Sequence, residues 1–247
     1  VMVSMPGNQP YEATNDGNMF AQQFSYDNEM PIIGQWGYAE MFSDIFRVMF
    51  EPVPALAQQI NQTMASLGLR EGAYTSTHVR ARYPAANTPL DRKSRQKMDK
   101  DGGHFEFTGD MMKYAMRLSN NAIDCGYSLA PDDDLPILFV SDSHLVANYW
   151  NSTRTKRVSK DVEVKVVAVN RSEEPLHIDR DDGWPGSTPI EFYSVFEDLL
   201  MMGGSKCVAH GIGSFGSFGA GLIGNKCRAI HRKHNGLAVK CPNSRTD

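Results

Sequence analysis

The part of the chain that most restricts its fold is a glycine-rich segment, residues 207–224, with the sequence CVAHGIGSFGSFGAGLIG. A short apolar run precedes a loop in which six glycines are interspersed with two Ser-Phe pairs. Glycines allow a backbone to turn tightly and to approach a ligand closely. A strand, such a loop and a helix start together aim several backbone N–H groups and the positive end of a helix dipole at one point. The segment therefore predicts a cradle for an anion such as phosphate.

The same segment also matches a dinucleotide-binding pattern. Residues 211–216 satisfy G-x-G-x-x-G, but that pattern needs an acidic residue about 20 positions further on to bind a ribose hydroxyl. No Asp or Glu lies between Asp198 and Asp247. The segment also lies near the C-terminus, whereas dinucleotide folds carry it in their first βα turn. A nicotinamide or flavin site is therefore disfavoured, and a glycine-rich crossover that binds nothing is a second alternative.

The distribution of charge favours a phosphate ligand. From residue 199 onward seven basic residues are balanced by one acidic residue, although the whole chain has a formal net charge of −4. A solvated basic tail is the alternative explanation of this asymmetry. Nucleic acid is disfavoured as a partner, because the chain is acidic overall, with a pI near 6.0, and contains no recognisable nucleic-acid-binding module.

The cysteines and the glycosylation acceptors bear on the compartment. Four cysteines do not define a disulfide framework, but Cys207 could pair with Cys227 or Cys241, with free buried cysteines as the alternative. The Cys and His spacings match no zinc pattern. Three N-x-S/T acceptors occur, at Asn61, Asn151 and Asn170. Chance supplies about one in a chain of this size, so these features favour the lumen of the secretory pathway.

The ends of the chain suggest a fragment of a longer protein. The chain has 247 residues and begins at Val1, with neither an initiator Met nor a signal-peptide pattern. It contains no uncharged apolar run long enough to span a bilayer, so we expect any membrane anchor to lie upstream. We expect an irregular leader over 1–37, one domain over 38–235 and a tail over 236–247.

Hydrophobic periodicity predicts alternating helices and strands between residues 38 and 235. Helical spacing predicts helices over 38–50, 53–67, 111–123 and 189–202, with a further helix after the glycine loop. Short apolar runs predict strands over 73–79, 135–140, 162–169 and 207–209, and residues 91–103 are predicted to be an exposed loop. Strands that alternate with helices indicate an α/β fold with a doubly wound parallel sheet.

Polar residues follow three of the predicted strands. His78 lies at the end of the first strand and Arg80 follows it, Asp142 follows the second, and the glycine loop follows the last. The ligands of doubly wound sheets bind beyond the carboxyl ends of the strands. We therefore expect these three segments to converge on one site at that edge.

These segments, in this order, resemble the fucosyltransferase-like superfamily, which includes the protein O-fucosyltransferases, the α1,6-fucosyltransferases and the bacterial nodulation fucosyltransferase. The resemblance rests on four features: a strand leading into His78-x-Arg80, a strand ending at Ser-Asp142-Ser, a hydrophobic helix with Asp198, and the Ser-Phe loop. It covers residues 38–225. It implies the Rossmann-like, donor-binding half of a two-domain glycosyltransferase of the GT-B type, whose acceptor-side half would precede Val1.

The resemblance implies a role for each matching residue. Arg80 matches the essential arginine that binds the diphosphate of GDP-fucose and stabilises it as the leaving group. The departing diphosphate gains negative charge in the transition state, and a bidentate guanidinium can stabilise this charge. His78 would lie beside the nucleotide, and Asp142 matches the carboxylate after the central strand. Asp198 matches the acidic residue that accepts hydrogen bonds from guanine N1 and N2. Each residue also has an alternative interpretation. Arg80 could be a strand-end arginine paired with an acidic residue, and His78 a packed histidine. Asp198 could be a solvent-facing helix residue with a basic neighbour.

The glycine loop matches the family's loop that touches phosphate and base. Ser214 and Phe215, between Gly213 and Gly216, are the first matching pair, and Ser217 with Phe218 is the alternative pair. Two departures from the family pattern occur. Residues 81–84 are Ala-Arg-Tyr-Pro where the family often has Gly-Asp or Arg-Asp, and a Gly-Ser stands in place of Ser-Ser. These departures affect the expected sugar more than the expected nucleotide.

The resemblance implies an inverting fucosyltransferase that transfers fucose from GDP-fucose to a hydroxyl of a protein or glycan in the Golgi or endoplasmic reticulum. No cofactor is expected, and no metal, since Arg80 can offset the diphosphate charge. The general base would come mainly from the acceptor-side half, so the donor half alone could bind nucleotide without turnover. The alternatives are a non-catalytic nucleotide-sugar-binding or lectin-like protein and a nicotinamide-dependent oxidoreductase.

Overall fold

The computed structural model describes residues 38–81, 109–131, 134–153, 155–159, 162–173, 188–224, 227–232, 239 and 241. The predicted leader over 1–37 and the predicted loop over 91–103 lie outside the described residues, as does nearly all of the predicted tail.

Helices and strands alternate along the described chain. In order they are α1 (Tyr38–Met49), α2 (Pro54–Leu67), β1 (Thr75–Val79), α3 (Gly109–Leu129), β2 (Ile137–Ser141), α4 (His144–Thr153), β3 (Thr155–Arg157), β4 (Glu163–Val167), a 3₁₀ turn (Pro189–Phe192), α5 (Tyr193–Gly203), β5 (Cys207–His210), α6 (Ser214–Leu222) and β6 (Arg228–Ile230).

The six strands form one sheet in the order β3-β4-β2-β1-β5-β6. All neighbouring strands are parallel except β3 and β4. The chain therefore has an α/β fold with a mostly parallel sheet, compatible with a Rossmann-like arrangement. The strand order reverses between β1 and β5, because β2 lies on one side of β1 and β5 on the other. In open α/β sheets a crevice opens beyond the carboxyl ends of the strands at such a switch point.

Helices cover both faces of the sheet. Successive residues of a strand point to opposite faces, so Phe139 of β2 packs with Trp150 and the other residues of α3 and α4. The next residue, Val140, packs with Met202 and Leu222 on the side covered by α1, α2, α5 and α6. All five residues of β1 are buried, which is typical of a central strand in a doubly wound sheet.

Most of the predicted elements within the described residues are confirmed, with shifted ends, but three elements were missed, and most of the predicted glycine loop, residues 214–222, is instead helix α6. Helix α4 packs Val146, Ala147 and Trp150 against the sheet at helical spacing, yet its Asn, Thr and aromatic residues are weak helix formers. Strands β3 and β6 have three residues each, which is too few to show a period. Helix α3 extends beyond its predicted end to Leu129.

Two disulfides tie the C-terminal part of the chain to the sheet. Cys207, at the start of β5, pairs with Cys227, and Cys125 of α3 pairs with Cys241. The predicted Cys207–Cys227 pairing is confirmed, while the Cys207–Cys241 alternative and the free-cysteine alternative are wrong. The Cys207–Cys227 bond closes a loop that contains the rest of the glycine-rich segment, including α6. Within the described part of the chain, no helix is both long and apolar enough to cross a membrane.

Candidate functional site at the switch point

The candidate site lies where β1 and β5 end side by side. His78 near the end of β1 is in register with His210 at the end of β5. Arg80 follows β1, and a three-residue loop from Gly211 to Gly213 connects β5 to α6. The structure thus brings the His78–Arg80 segment and the glycine loop together at the carboxyl edge of the sheet, as the sequence predicted.

Arg80 lies against the N-terminus of α6. Gly213 caps this helix with a φ of 100°, in a region of backbone space that side chains rarely adopt. A Cβ atom on Gly213 would lie 3.0 Å from Nη1 and 3.2 Å from Cδ of Arg80. The backbone conformation therefore favours glycine, and a Cβ atom would also displace the Arg80 side chain from its contact with this helix end.

The N-terminus of α6 can bind an anion together with Arg80. Among the described residues, no side chain caps this helix end with a hydrogen bond, and the first N–H groups of a helix have no intrahelical partner. These groups belong to Ser214, Phe215 and Gly216. The half-buried guanidinium of Arg80 thus lies beside the positive end of the helix dipole. This arrangement favours the binding of a phosphate.

His78 lies under the first turn of α6. A Cβ atom on Gly216 would be 2.6 Å from its Nδ1 atom, and its ring centroid is 5.4 Å from that of Phe215. His78 is only 3% exposed, and within the described residues its Nδ1 has no hydrogen-bond partner. Burial, with smaller contributions from His231, His210 and Arg80, lowers the pKa of His78 to about 3. The ring is therefore neutral near pH 7.

Asp142 fixes the backbone that carries Arg80. Its Oδ1 accepts a hydrogen bond of 2.6 Å from the N–H of Ala81. Asp142 follows β2, the neighbour of β1 in the sheet, so the bond ties the end of one strand to the segment that follows the other. The carboxylate after β2 thus contacts the Arg80 segment directly, through its backbone.

The two Ser-Phe pairs, which the sequence places in the loop, lie in α6 and face different partners. Phe215 packs on His78 within the site, whereas Phe218 contacts Phe42 and Phe46 of α1, with ring centroids 5.3 and 5.6 Å away. Ser217 donates a hydrogen bond to the carbonyl of Ser214. Of the two pairs, the first therefore lies at the switch point.

Asp198 belongs to a separate buried ion-pair cluster. Its Oδ1 lies 2.9 Å from Nη2 of Arg171, and the same guanidinium contacts Glu197 at 3.0 Å. Glu197 in turn accepts a hydrogen bond from Thr63 of α2. Burial raises the pKa of Asp198 to about 6, although the charge of Arg171 opposes the shift. The aspartate has a basic partner but is 5% exposed, so the alternative of a solvent-facing residue is wrong.

Arg171 and two histidines are the residues that sequence reasoning missed. Arg171 follows β4, so its position after a predicted strand was the signal that could have identified it. His210 ends β5, and His231 follows the unpredicted β6, so no local pattern connects His231 with the site. Burial lowers the pKa of both histidines, that of His231 to about 4.

Over the described ranges, no group of three or more His, Cys, Asp or Glu residues could hold a metal ion.

A cavity of about 480 Å³ lies elsewhere, between α1, α2 and the C-terminal end of α5. Glu71 and Gly204, which line it, precede β1 and β5 respectively. The cavity therefore lies toward the amino ends of the strands, and none of the predicted site residues lines it.

Comparison with known proteins finds no match to this chain among protein families, curated proteins or solved structures.

The lowered pKa values of the site histidines predict that stability falls in acid. Below about pH 6.5 the unfolded chain binds protons on His78 and His231, whereas the folded chain binds them only near pH 3 and 4. The unfolded state then holds more protons, so the contribution of these histidines is complete above pH 6.5 and is lost as the pH falls toward 4.

Urea denaturation of His78→Gln and the wild type at a series of pH values checks this dependence. His78→Gln removes one group that takes up a proton on unfolding. Between pH 4 and 6 the slope of its unfolding free energy against pH should therefore be lower than that of the wild type, by up to about 1.4 kcal/mol per pH unit. Asp198, whose raised pKa acts in the opposite direction, is present in both chains. An equal slope in the two chains would contradict the account of His78 as a buried neutral ring.

Proposed function

We propose that the chain is the donor-binding half of a GT-B-type glycosyltransferase that transfers fucose from GDP-fucose to a hydroxyl of a protein or glycan. The observation that carries the proposal is the contact of Arg80 with the N-terminus of α6 at the switch point of the sheet. The resemblance of this segment to the fucosyltransferase-like superfamily supplies the nucleotide and the sugar.

The proposed chemistry is a displacement at the anomeric carbon of fucose. The acceptor oxygen forms a bond to this carbon from the face opposite the departing GDP, so the configuration inverts and the bond to the β-phosphate oxygen breaks. Negative charge accumulates on the diphosphate as it leaves. Arg80 and the N–H groups of Ser214 and Phe215 would stabilise this charge, and groups that stabilise charge in the transition state accelerate the reaction. The acceptor's proton passes to a base on the acceptor side.

The position of the glycine loop supports a nucleotide sugar over a dinucleotide. The dinucleotide fingerprint occupies the first βα turn, after the central strand of the sheet. In this chain β1 ends with His78 and Val79 and is followed by Arg80, and the glycine loop follows β5 on the other side of the switch point. An NAD-dependent oxidoreductase is therefore the less favoured function.

Guanine recognition is assigned to Asp198 in this proposal. Arg171 engages Oδ1 of Asp198 and also contacts Glu197 and the carbonyl of Ser194, so it holds the carboxylate in one orientation. A fixed carboxylate suits the paired N1 and N2 donors of guanine, which adenine and uracil lack.

A compartment in the secretory pathway, the Golgi or the endoplasmic reticulum, completes the proposal. The two disulfides support it, because such bonds persist mainly in oxidising compartments. Asn61 and Asn170, two of the three glycosylation acceptors, are exposed.

Isothermal titration with GDP, GDP-fucose, UDP and NAD tests the nucleotide. GDP and GDP-fucose should bind more tightly than the other two, because Arg80 and α6 bind the phosphates and Asp198 selects guanine. Tighter binding of UDP or NAD would refute the proposal. Binding of GDP-fucose without turnover, even when acceptors and an acceptor-side domain are supplied, would identify a non-catalytic binding protein instead.

Arg80→Ala should lose most of the affinity for GDP. Removing a charge-assisted hydrogen-bond pair costs on the order of 2–3 kcal/mol, or roughly 30- to 150-fold in affinity. Arg80→Lys should restore only part of it, because lysine lacks the planar fork. The matched control is Arg70→Ala, which removes an exposed arginine that precedes β1 and leaves the carboxyl edge intact. Equal GDP affinity in folded Arg80→Ala and Arg70→Ala would remove Arg80 from the site.

Asp198→Asn and Glu197→Gln form a matched pair that separates guanine recognition from structure. Both changes weaken a contact with Arg171 at a buried position, so both should lower the melting temperature. Only Asp198→Asn places an amide donor opposite guanine, so it alone should weaken GDP binding about tenfold or more without affecting inorganic pyrophosphate. Equal effects of the two variants on GDP would assign Asp198 a purely structural role.

A further inference from the structure

His231 contacts both halves of the candidate site. Its Nε2 lies 2.9 Å from the carbonyl oxygen of His78, two residues before Arg80. Its ring also packs on the glycine loop, since a Cβ atom on Gly211 would be 2.7 Å from Cε1 of His231. Gly211 is two residues before Gly213, against which Arg80 packs.

The hydrogen bond to His78 occurs where the sheet can no longer supply one. The pairing of β1 with β5 ends at His78 and His210, because beyond this point the backbone of β5 turns into the glycine loop. A buried carbonyl needs a donor, and the imidazole of His231 provides it. His231 therefore extends the connection between the two strands past the end of their ladder.

The backbone of His231 is held firmly enough to act as a spacer. Its N–H donates to the carbonyl of His210 at 2.9 Å, and its carbonyl accepts from Asn121 and Val239 at 3.0 Å each. The ring is 1% exposed, and within the described residues Nδ1 has no hydrogen-bond partner. Burial lowers the pKa of His231 to about 4, so the ring is neutral, and because Nε2 faces a carbonyl acceptor, its one proton lies on Nε2.

We propose that His231 is a positioning residue that sets the distance between Arg80 and the N-terminus of α6, and hence the fit of the diphosphate. This inference rests on the proposed function of the site. His231 does not touch the ligand in this proposal. It acts through the backbone of His78 on one side and the backbone of Gly211 on the other, so that its loss separates the cation from the helix N-terminus.

The test compares His231→Phe, which keeps a ring against Gly211 but has no donor, with His231→Gln, whose side-chain amide can still donate to His78. GDP and inorganic pyrophosphate are titrated into each full-length variant, and the melting temperature is measured. His231→Phe should lose about tenfold or more in affinity for both ligands, and His231→Gln should stay within about threefold of the wild type.

Val146→Ala is the stability control, because it removes buried volume from α4, which packs on β2 and β4 instead of β1 and β5. It should lower the melting temperature without changing either affinity. If His231→Phe does not fold, His231→Asn replaces it, since its shorter amide does not reach the His78 carbonyl. Wild-type affinity in the folded Phe or Asn variant, or equal losses in the Gln and Phe variants, would overturn the role of His231.

The two proposals fail in different ways. If the wild type binds pyrophosphate but not GDP, the proposed function is wrong, and the His231 variants still test the positioning role with pyrophosphate. If the wild type binds GDP and the His231 variants bind it equally well, only the positioning role is wrong. If the wild type binds neither ligand, both are overturned.

Discussion

The parallel pairing of β1 with β5 is the interaction on which the candidate site depends. Among the described strands it joins the β3-β4-β2-β1 part of the sheet to the β5-β6 part, and it places the end of β1 beside the start of the glycine loop. Arg80 and the N-terminus of α6 meet because these two strands end at the same level. A cation and a set of N–H groups that are far apart in sequence thus form one electropositive point at the carboxyl edge.

The two histidines next to this point support it without adding positive charge. Burial keeps His78 and His231 neutral, so they can fill space and form hydrogen bonds without repelling Arg80. Asp142 fixes the backbone behind Arg80, and the Cys207–Cys227 disulfide ties together the segments that flank the loop and α6. Glu197 and Asp198 form a separate cluster with Arg171.

The sequence predicted the parts of the site that depend on local pattern and failed where distant contacts decide. The glycine-rich turn after β5, the position of Arg80 at a strand end and the alternation of strands and helices could be predicted. They depend on backbone conformation and on the spacing of apolar residues, which are set by a few neighbouring residues. The role of His231 was not, since it depends on the three-residue strand β6 and on a contact with His78 across 153 positions. The pairing of Asp198 with Arg171 was missed for the same reason: nothing local connects α5 with the segment after β4.

A crystal structure of the chain with GDP tests the central claim most directly, because it locates the diphosphate without reference to any variant. The account predicts phosphate oxygens within hydrogen-bonding distance of the Arg80 guanidinium and of the N–H groups of Ser214 and Phe215. It also predicts that the rings of His78 and His231 occupy the same positions with and without GDP. An ordered diphosphate bound anywhere else, including the cavity at the amino ends of the strands, would contradict the account.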